Sequence, residues 1–329
     1  MQGAAQALGL ALGPAVGGLL IGLGGWRLIF FVNVPAGLVG AVLGWFLLPR
    51  SQHLAARTRF DWAGLALFVP AVSAFLLAIS YGDQLGWLSP TILGLVAMSA
   101  LLVFGFITWE RRSASPMLDL RLFSDLQFSA GIVSGLLSYL VLFGVLLVVP
   151  FLLENARHMS PSTTGLELMV MPLGLGLVAP LSGHLAERLG ARLLTIGGML
   201  LAAVVLILLA VAHGSLPIFL LGLTLVGVGL GAFTPPNNAA VMGSVPQHQT
   251  GMASGVFNMT RGLGTSLGLA LTGLVFTLEA GSQATSPSRV NEGFVASCIF
   301  LGASAFLAAA ISALRGRSTL NLDPTLKAE

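Results

Sequence analysis

Apolar and polar residues along this chain segregate into long blocks, without the short periods of a soluble helix or strand. Apolar stretches run at 4–24, 28–48, 62–80, 89–109, 128–153, 164–184, 193–212, 216–240, 251–278 and 293–314. Each holds about 20 residues, enough for a helix to cross a hydrocarbon core of about 30 Å. Polar and charged residues gather between them. The pattern predicts an all-α, polytopic membrane protein of about ten spanning helices. It divides the chain into three parts: a Gly-rich helical pair at 1–50, two linker spans with a polar loop at 51–127, and six spans with a short tail at 128–329.

Composition agrees. Hydrophobic residues make up 56% of the chain and charged residues 8%, more apolar surface than a soluble domain could hide. The placement of charge adds a direction. If the spans alternate, the loops after the even-numbered ones hold Arg50, Arg57, Arg59, Arg111, Arg112, Arg121, Arg188, Arg192, Arg315, Arg317 and Lys327. The other loops hold Arg27, Arg157 and Arg289, and Arg261 lies inside a span. Basic residues favour the cytoplasmic side, so both termini are expected there. Trp26, Trp45, Trp62, Trp87 and Trp109 all lie near span ends, where amphipathic rings anchor at the interface. The net charge of +3 reports this asymmetry and no nucleic-acid surface, because no basic patch interleaves with aromatics.

The linker 110–125 alternates Leu118, Leu120, Leu122 and Phe123 with Asp119, Arg121 and Asp125, which predicts a segment lying along the interface. The single Cys298 allows neither an internal disulfide nor a metal site, and the five histidines have no ligand spacing. Gly264-x-Ser266-x-Gly268 imitates a nucleophile elbow but sits within a span, not at a strand–turn–helix. Gly227-x-Gly229-x-Gly231 imitates a dinucleotide fingerprint but follows no strand. No enzyme is expected. The N-terminus shows no basic n-region or cleavage site and opens directly into an apolar stretch, as in a chain missing its front.

Polar groups inside the spans are the candidates for function. Arg261 lies near mid-depth, where a lone guanidinium costs roughly 2.5–3.5 kcal/mol and needs a partner. Asn258, one turn earlier, shares its face. Asn237 and Asn238 follow Pro235-Pro236, whose missing N–H groups free carbonyls that the amides could satisfy. Glu167 is the one acid well within a span, yet about a turn from its end; an interfacial carboxylate and a proton carrier are both open readings.

The most specific string is Gly9-x-x-x-Gly13-Pro14-x-x-Gly17-Gly18. Its glycines share one helix face that admits a neighbour closely, and Pro14 bends that face. The ninth span, with a related glycine strip, is the expected neighbour. GLALGPAVGG followed by GGWRLIFFVNVPAG resembles the fifth helix and the turn into the sixth of the fourteen-helix drug:proton antiporters of the major facilitator superfamily. In that family the glycine–proline string is the antiporter motif. PLSGHLAERLGARLLTIGG (180–198) resembles the family's cytoplasmic loop motif, carried by Gly183, Leu185, Glu187, Arg188, Gly190 and Arg192, with Glu187 where Asp is usual. TGMASGVFNMTRGLGTSLGLALTG (250–273) resembles the second-half counterpart of the antiporter helix. A shift of 255 residues aligns Leu8, Gly9, Leu12, Gly13, Ala15 and Gly18 with Leu263, Gly264, Leu267, Gly268, Ala270 and Gly273, as two related halves would require.

The resemblance implies a monomer in a bacterial inner membrane, driven by the proton gradient without a cofactor. It exports hydrophobic, often cationic, small molecules by alternating access, and the 183–192 loop acts as a gate clamp. Mapped onto the family, the chain lacks the first four helices, including the acid linked to proton coupling in the first, so it is expected to give no coupled efflux alone. The other readings are an exporter of an endogenous metabolite and a membrane remnant without transport.

Overall fold

The computed structural model describes residues 9, 13, 16–47, 61–113, 116–246, 249–281 and 286–315, apart from the Asp83 side chain. All of its regular structure is helical. A short helix α1 (16–24) leads into α2 (Arg27–Leu47), then α3 (Trp62–Leu85) and α4 (Pro90–Glu110). A 3₁₀ turn (Leu120–Ser124) precedes α5 (Leu126–Pro150), α6 (Pro161–Leu168), α7 (Val170–Leu189) and α8 (Ala191–Ala212). The chain ends in α9 (Leu216–Gly243), α10 (Thr250–Ala280) and α11 (Pro287–Ala313). Among the described residues, nine spans are long and apolar enough to cross a membrane. Of the expected first span, 4–24, residues 4–8, 10–12, 14 and 15 fall outside those residues.

Helices α5 to α11 form one bundle around the main apolar core, with α9 wedged between α7 and α8, and α5 against α10 and α11. Two breaks have local causes. Pro150 ends the α-helical part of α5, and the chain continues as a π-helix (Phe151–Ala156) whose last bond runs from Arg157 N–H to Leu152 O at 3.1 Å. The sixth span is two helices, not one. Pro172 has no N–H to give the carbonyl four residues back, and the helical ladder is interrupted at Met169 between α6 and α7.

Helices α3 and α4 pair beside the bundle. Ala71, Ala74 and Ala78 are buried along one face of α3, so α4 approaches closely; Ser99 Oγ donates to Ala71 O at 2.9 Å across the seam. The 3₁₀ turn after α4 tucks Leu122 among Phe128, Ile132, Val241, Val245 and Val256, so the linker seats against the ends of α5, α9 and α10. That end of the molecule, which also carries Arg188, Arg192 and Arg315, is termed the basic end below. Helix α2 has no buried residue.

Candidate functional site

The glycine segment packs, though not where its spacing suggested. A Cβ on Gly18 would stand 2.5 Å from Pro161 O and 3.3 Å from Gly165 Cα; one on Gly22 would stand 2.5 Å from Ser162 Oγ. Ser162 Oγ in turn donates to Gly18 O at 3.2 Å. The partner is therefore α6, and the expected neighbour, α10, spends its strip elsewhere. A Cβ on Gly264 or Gly268 would meet Leu136 O or Leu140 O of α5 at 2.6 Å, so that face is already occupied. Gly9, Gly13 and Gly17 have nothing within 4 Å of a Cβ position among the described residues, and Pro14 lies outside them.

The 183–192 loop is a one-residue turn. Gly190 joins α7 to α8 at φ +84°, a conformation that side chains rarely adopt, and its N–H bonds Ala186 O at 3.0 Å. Glu187 and Arg188 are exposed, as is Arg192. Gly183 has open space at its Cβ position. Arg192 Nη2 donates to Ala313 O at 2.5 Å, where the last carbonyls of α11 lack intrahelical partners. The loop is thereby tied to the end of another helix.

The polar residues within the spans separate into three places. Half-buried Arg261, on α10, stacks its guanidinium over the Tyr139 ring of α5 at 5.2 Å. Asn258, its expected partner, is exposed. A ring face is what α5 presents at that level, and it stabilises a half-buried cation by about 1–2 kcal/mol.

Asn237 is 1% exposed. Its amide Nδ2 donates to Gly131 O of α5 at 3.3 Å, and its Oδ1 accepts from Ser134 Oγ at 3.4 Å and from Arg315 Nη2. Arg315 Nη2 also donates to Ser134 Oγ at 2.6 Å. The expectation that Asn237 satisfies carbonyls freed by the prolines is overturned. The carbonyl that Pro235 releases, Gly231 O, takes the Ser182 hydroxyl of α7 at 2.9 Å, because α7 is the nearer neighbour there. Asn238 is half-buried.

Arg315 was read from sequence only as a loop charge. It is 3% exposed, and Nε and Nη1 have no hydrogen-bond partner among the described residues. Burial pulls its pKa down to about 10. The signal that could have found it is Gly131-x-x-Ser134-Gly135, small residues that open a slot on α5: Cβ atoms at Gly131 and Gly135 would stand 3.1 Å from Arg315 Nη2 and 3.3 Å from Asn237 Nδ2.

Glu167 stands apart, half-buried in the first turns of the sixth span, and its enclosed Oε2 has no hydrogen-bond partner among the described residues. It sits within electrostatic reach of Arg157, whose pKa burial lowers and the Glu167 carboxylate pushes back up. Arg157 itself donates to His213 O and lies 5.0 Å from the centre of the Phe219 ring. Between α3 and α10 opens a cleft of about 530 Å³, lined by Leu76, Ser80, Gln84, Ser266, Leu269 and Thr277 among others. Its size is that of a small-molecule pocket, with a few hydroxyls and an amide set in apolar walls.

A bundle of long apolar helices seamed by glycine contacts places the chain among polytopic membrane proteins. The chain belongs to the major facilitator superfamily, whose family model, Major Facilitator Superfamily, matches residues 131–325. It is 34% identical over 303 residues to Multidrug resistance protein Stp of Mycobacterium tuberculosis, covering 90% of this chain and 56% of that protein. It is 30% identical to Riboflavin transporter RibZ of Clostridioides difficile, over 82% of this chain and 58% of the relative. With the Tetracenomycin C resistance and export protein of Streptomyces glaucescens it shares 31% identity, over 82% and 51%. The chain thus spans about half the length of these curated relatives.

Proposed function

We propose that this chain acts in proton-driven export of hydrophobic, often cationic, small molecules across a bacterial inner membrane, by alternating access and without a cofactor. The observation that carries the reading is the seating of the Gly18–Gly22 face on Pro161–Gly165, which joins the first helical pair to the last six spans by backbone contact. The drug-resistance names of two relatives support the substrate class. The basic loops favour cytoplasmic termini. In this reading Arg261 lines the pathway beside Tyr139, and the tie from Arg192 to Ala313 clamps the basic end in one of two states. Asn237 belongs to the frame of that end. Glu167 serves as an interfacial carboxylate set against Arg157, with proton carriage its alternative role.

The test is dye efflux from everted vesicles that contain the complete product of the gene. Efflux abolished by an uncoupler, and lowered by Arg261→Ala more than protein abundance is, supports the reading. Efflux indifferent to the uncoupler counts against antiport. A second reading, export of an endogenous metabolite, is favoured by the relative named as a riboflavin transporter. Competition of dye efflux by riboflavin separates the two.

A further inference from the structure

The linker pair ends in two buried acids for which the transport reading has no use. Asp61 caps α3: its Oδ1 accepts the Gly64 N–H at 2.8 Å and the Trp109 Nε1–H at 2.9 Å. Glu110, the last residue of α4, accepts the Leu118 N–H on Oε2 at 3.2 Å. Its other oxygen, Oε1, is enclosed and has no hydrogen-bond partner among the described residues. Asp61 is 9% exposed and Glu110 4%. The two carboxyl groups converge over Gly64, where a Cβ would stand 2.8 Å from Asp61 Oδ2 and 2.9 Å from Glu110 Oε1.

Among the described residues little neutralises them; Arg57 and Arg59 lie outside those residues. On α3 the pair meets the first-turn N–H groups, and on α4 the Trp109 indole. Arg111 and Arg112, on the turn that follows, are exposed, and no cation among the described residues acts on the Glu110 carboxyl. The loop beyond brings Asp119, itself engaged with α10. Two like charges enclosed together disfavour double ionisation strongly. The two positions are also unequal. Asp61 caps the positive end of α3, whereas Glu110, which accepts from the Leu118 and Met117 N–H groups, lies at the negative end of α4.

We propose that Asp61 and Glu110 form a proton-binding site in the linker pair, one proton residing on Glu110 Oε1 and pointing toward Asp61 Oδ2. The proton comes from the aqueous phase at the basic end and takes the pair from two negative charges to one. The site has a mechanical output. Leu118 hangs from Glu110, and the next residue, Asp119, donates its N–H to Met252 Sδ at 3.0 Å and accepts from Gln249 Nε2 at 3.5 Å. The protonated pair therefore holds the loop docked on the start of α10. Loss of the proton as pH rises sets two charges against each other and loosens it. The proposal needs no transport activity and stands or falls apart from it.

The test is an infrared pH titration of the purified chain in lipid, with hydrogen exchange read at the Leu118 amide. Expected in the wild type are a carboxylic-acid carbonyl band on the acid side that disappears as pH rises, and faster Leu118 exchange over the same interval. Glu110→Gln should abolish the band and flatten the exchange profile, while Glu279→Gln, at an exposed position, should change neither. Asp61→Asn keeps the proposal testable if Glu110→Gln does not fold: removing the neighbouring charge should move the titration to lower pH by about one unit or more. A wild type with no acid band that Glu110→Gln removes, or a midpoint unmoved by Asp61→Asn, overturns the site. So does a band that emerges only in Arg57→Gln or Arg59→Gln, since an arginine would then neutralise the acids.

Discussion

Gly198 of α8 and Gly229 of α9 press backbone to backbone: a Cβ on either would stand 2.5 Å from the carbonyl oxygen of the other. In lipid, where apolar surface alone gives helices no reason to associate, this closeness supplies dispersion contact that larger residues would block. Gly229→Ala and Gly198→Ala should each destabilise the bundle by about 1–3 kcal/mol. Gly251→Ala, at a position with open space, should cost far less. Unfolding in graded mixtures of mild and denaturing detergent measures the difference, and equal costs at all three sites would refute the contact.

Ser182 substitutes for the helix ladder at Pro235. Ser182→Ala should cost about 0.6–1.7 kcal/mol, the range of interhelical hydrogen bonds in membranes. Pro235→Ala restores an N–H to Gly231 O and should make the loss of Ser182 nearly free. The double-mutant cycle decides: additive effects would mean that the hydroxyl and the proline do not share that carbonyl.

For Arg261 the ring matters more than the phenol. Tyr139→Phe should leave stability and efflux close to wild type, while Tyr139→Leu should resemble Arg261→Ala, each losing about 1–2 kcal/mol of stabilisation. If Tyr139→Leu is silent and Asn258→Ala is not, the cation is held by the amide and not by the ring.

Arg315 makes stability depend on alkaline pH. Its folded pKa of about 10 lies below the ordinary arginine value, so the unfolded chain keeps the proton longer as pH rises. Below about pH 10 both states carry it, and stability from this group is flat; above that the folded state gains. The difference between wild type and Arg315→Met should be level through neutrality and then grow in favour of the wild type. A level difference throughout would mean that an anion holds the guanidinium charged.

Close approach on α6 predicts that Gly18→Val, which would collide with Pro161 O, impairs efflux by the complete gene product without preventing membrane insertion. Gly17→Ala, with open space, should be tolerated. Wild-type efflux from Gly18→Val would remove the role of the contact.

Block segregation of apolar residues makes the spans legible, because each must match the bilayer by itself. Neighbours are not legible in the same way. Spacing shows that Gly18 and Gly264 each lie on a flat face, but not that the first meets α6 and the second α5. Arg315 follows the last apolar residues and reads as a loop charge, since hydropathy cannot register burial by other helices. Asn237 read as an amide for the carbonyls freed by Pro235 and Pro236, for the related reason that a polar group within a span does not reveal which way it turns. Asp61 opens the linker pair and Glu110 closes it, and each looks like an ordinary span-end polar residue. Only their meeting over Gly64, 46 residues before Glu110 in the sequence, makes them a pair.

The break at Met169 turns the sixth span into two rods with a joint. The first rod is held by α1 at Pro161–Gly165, and the second carries at its far end the turn tied to α11. The 20 residues of α7 give that second rod a length of about 30 Å. A tilt of about five degrees at the joint would swing the Gly190 turn by roughly 2–3 Å over that length, comparable to the reach of one hydrogen bond. The span thus has the layout of a lever, with the glycine helix seated on its short arm and the Arg192 tether at the far end of its long one.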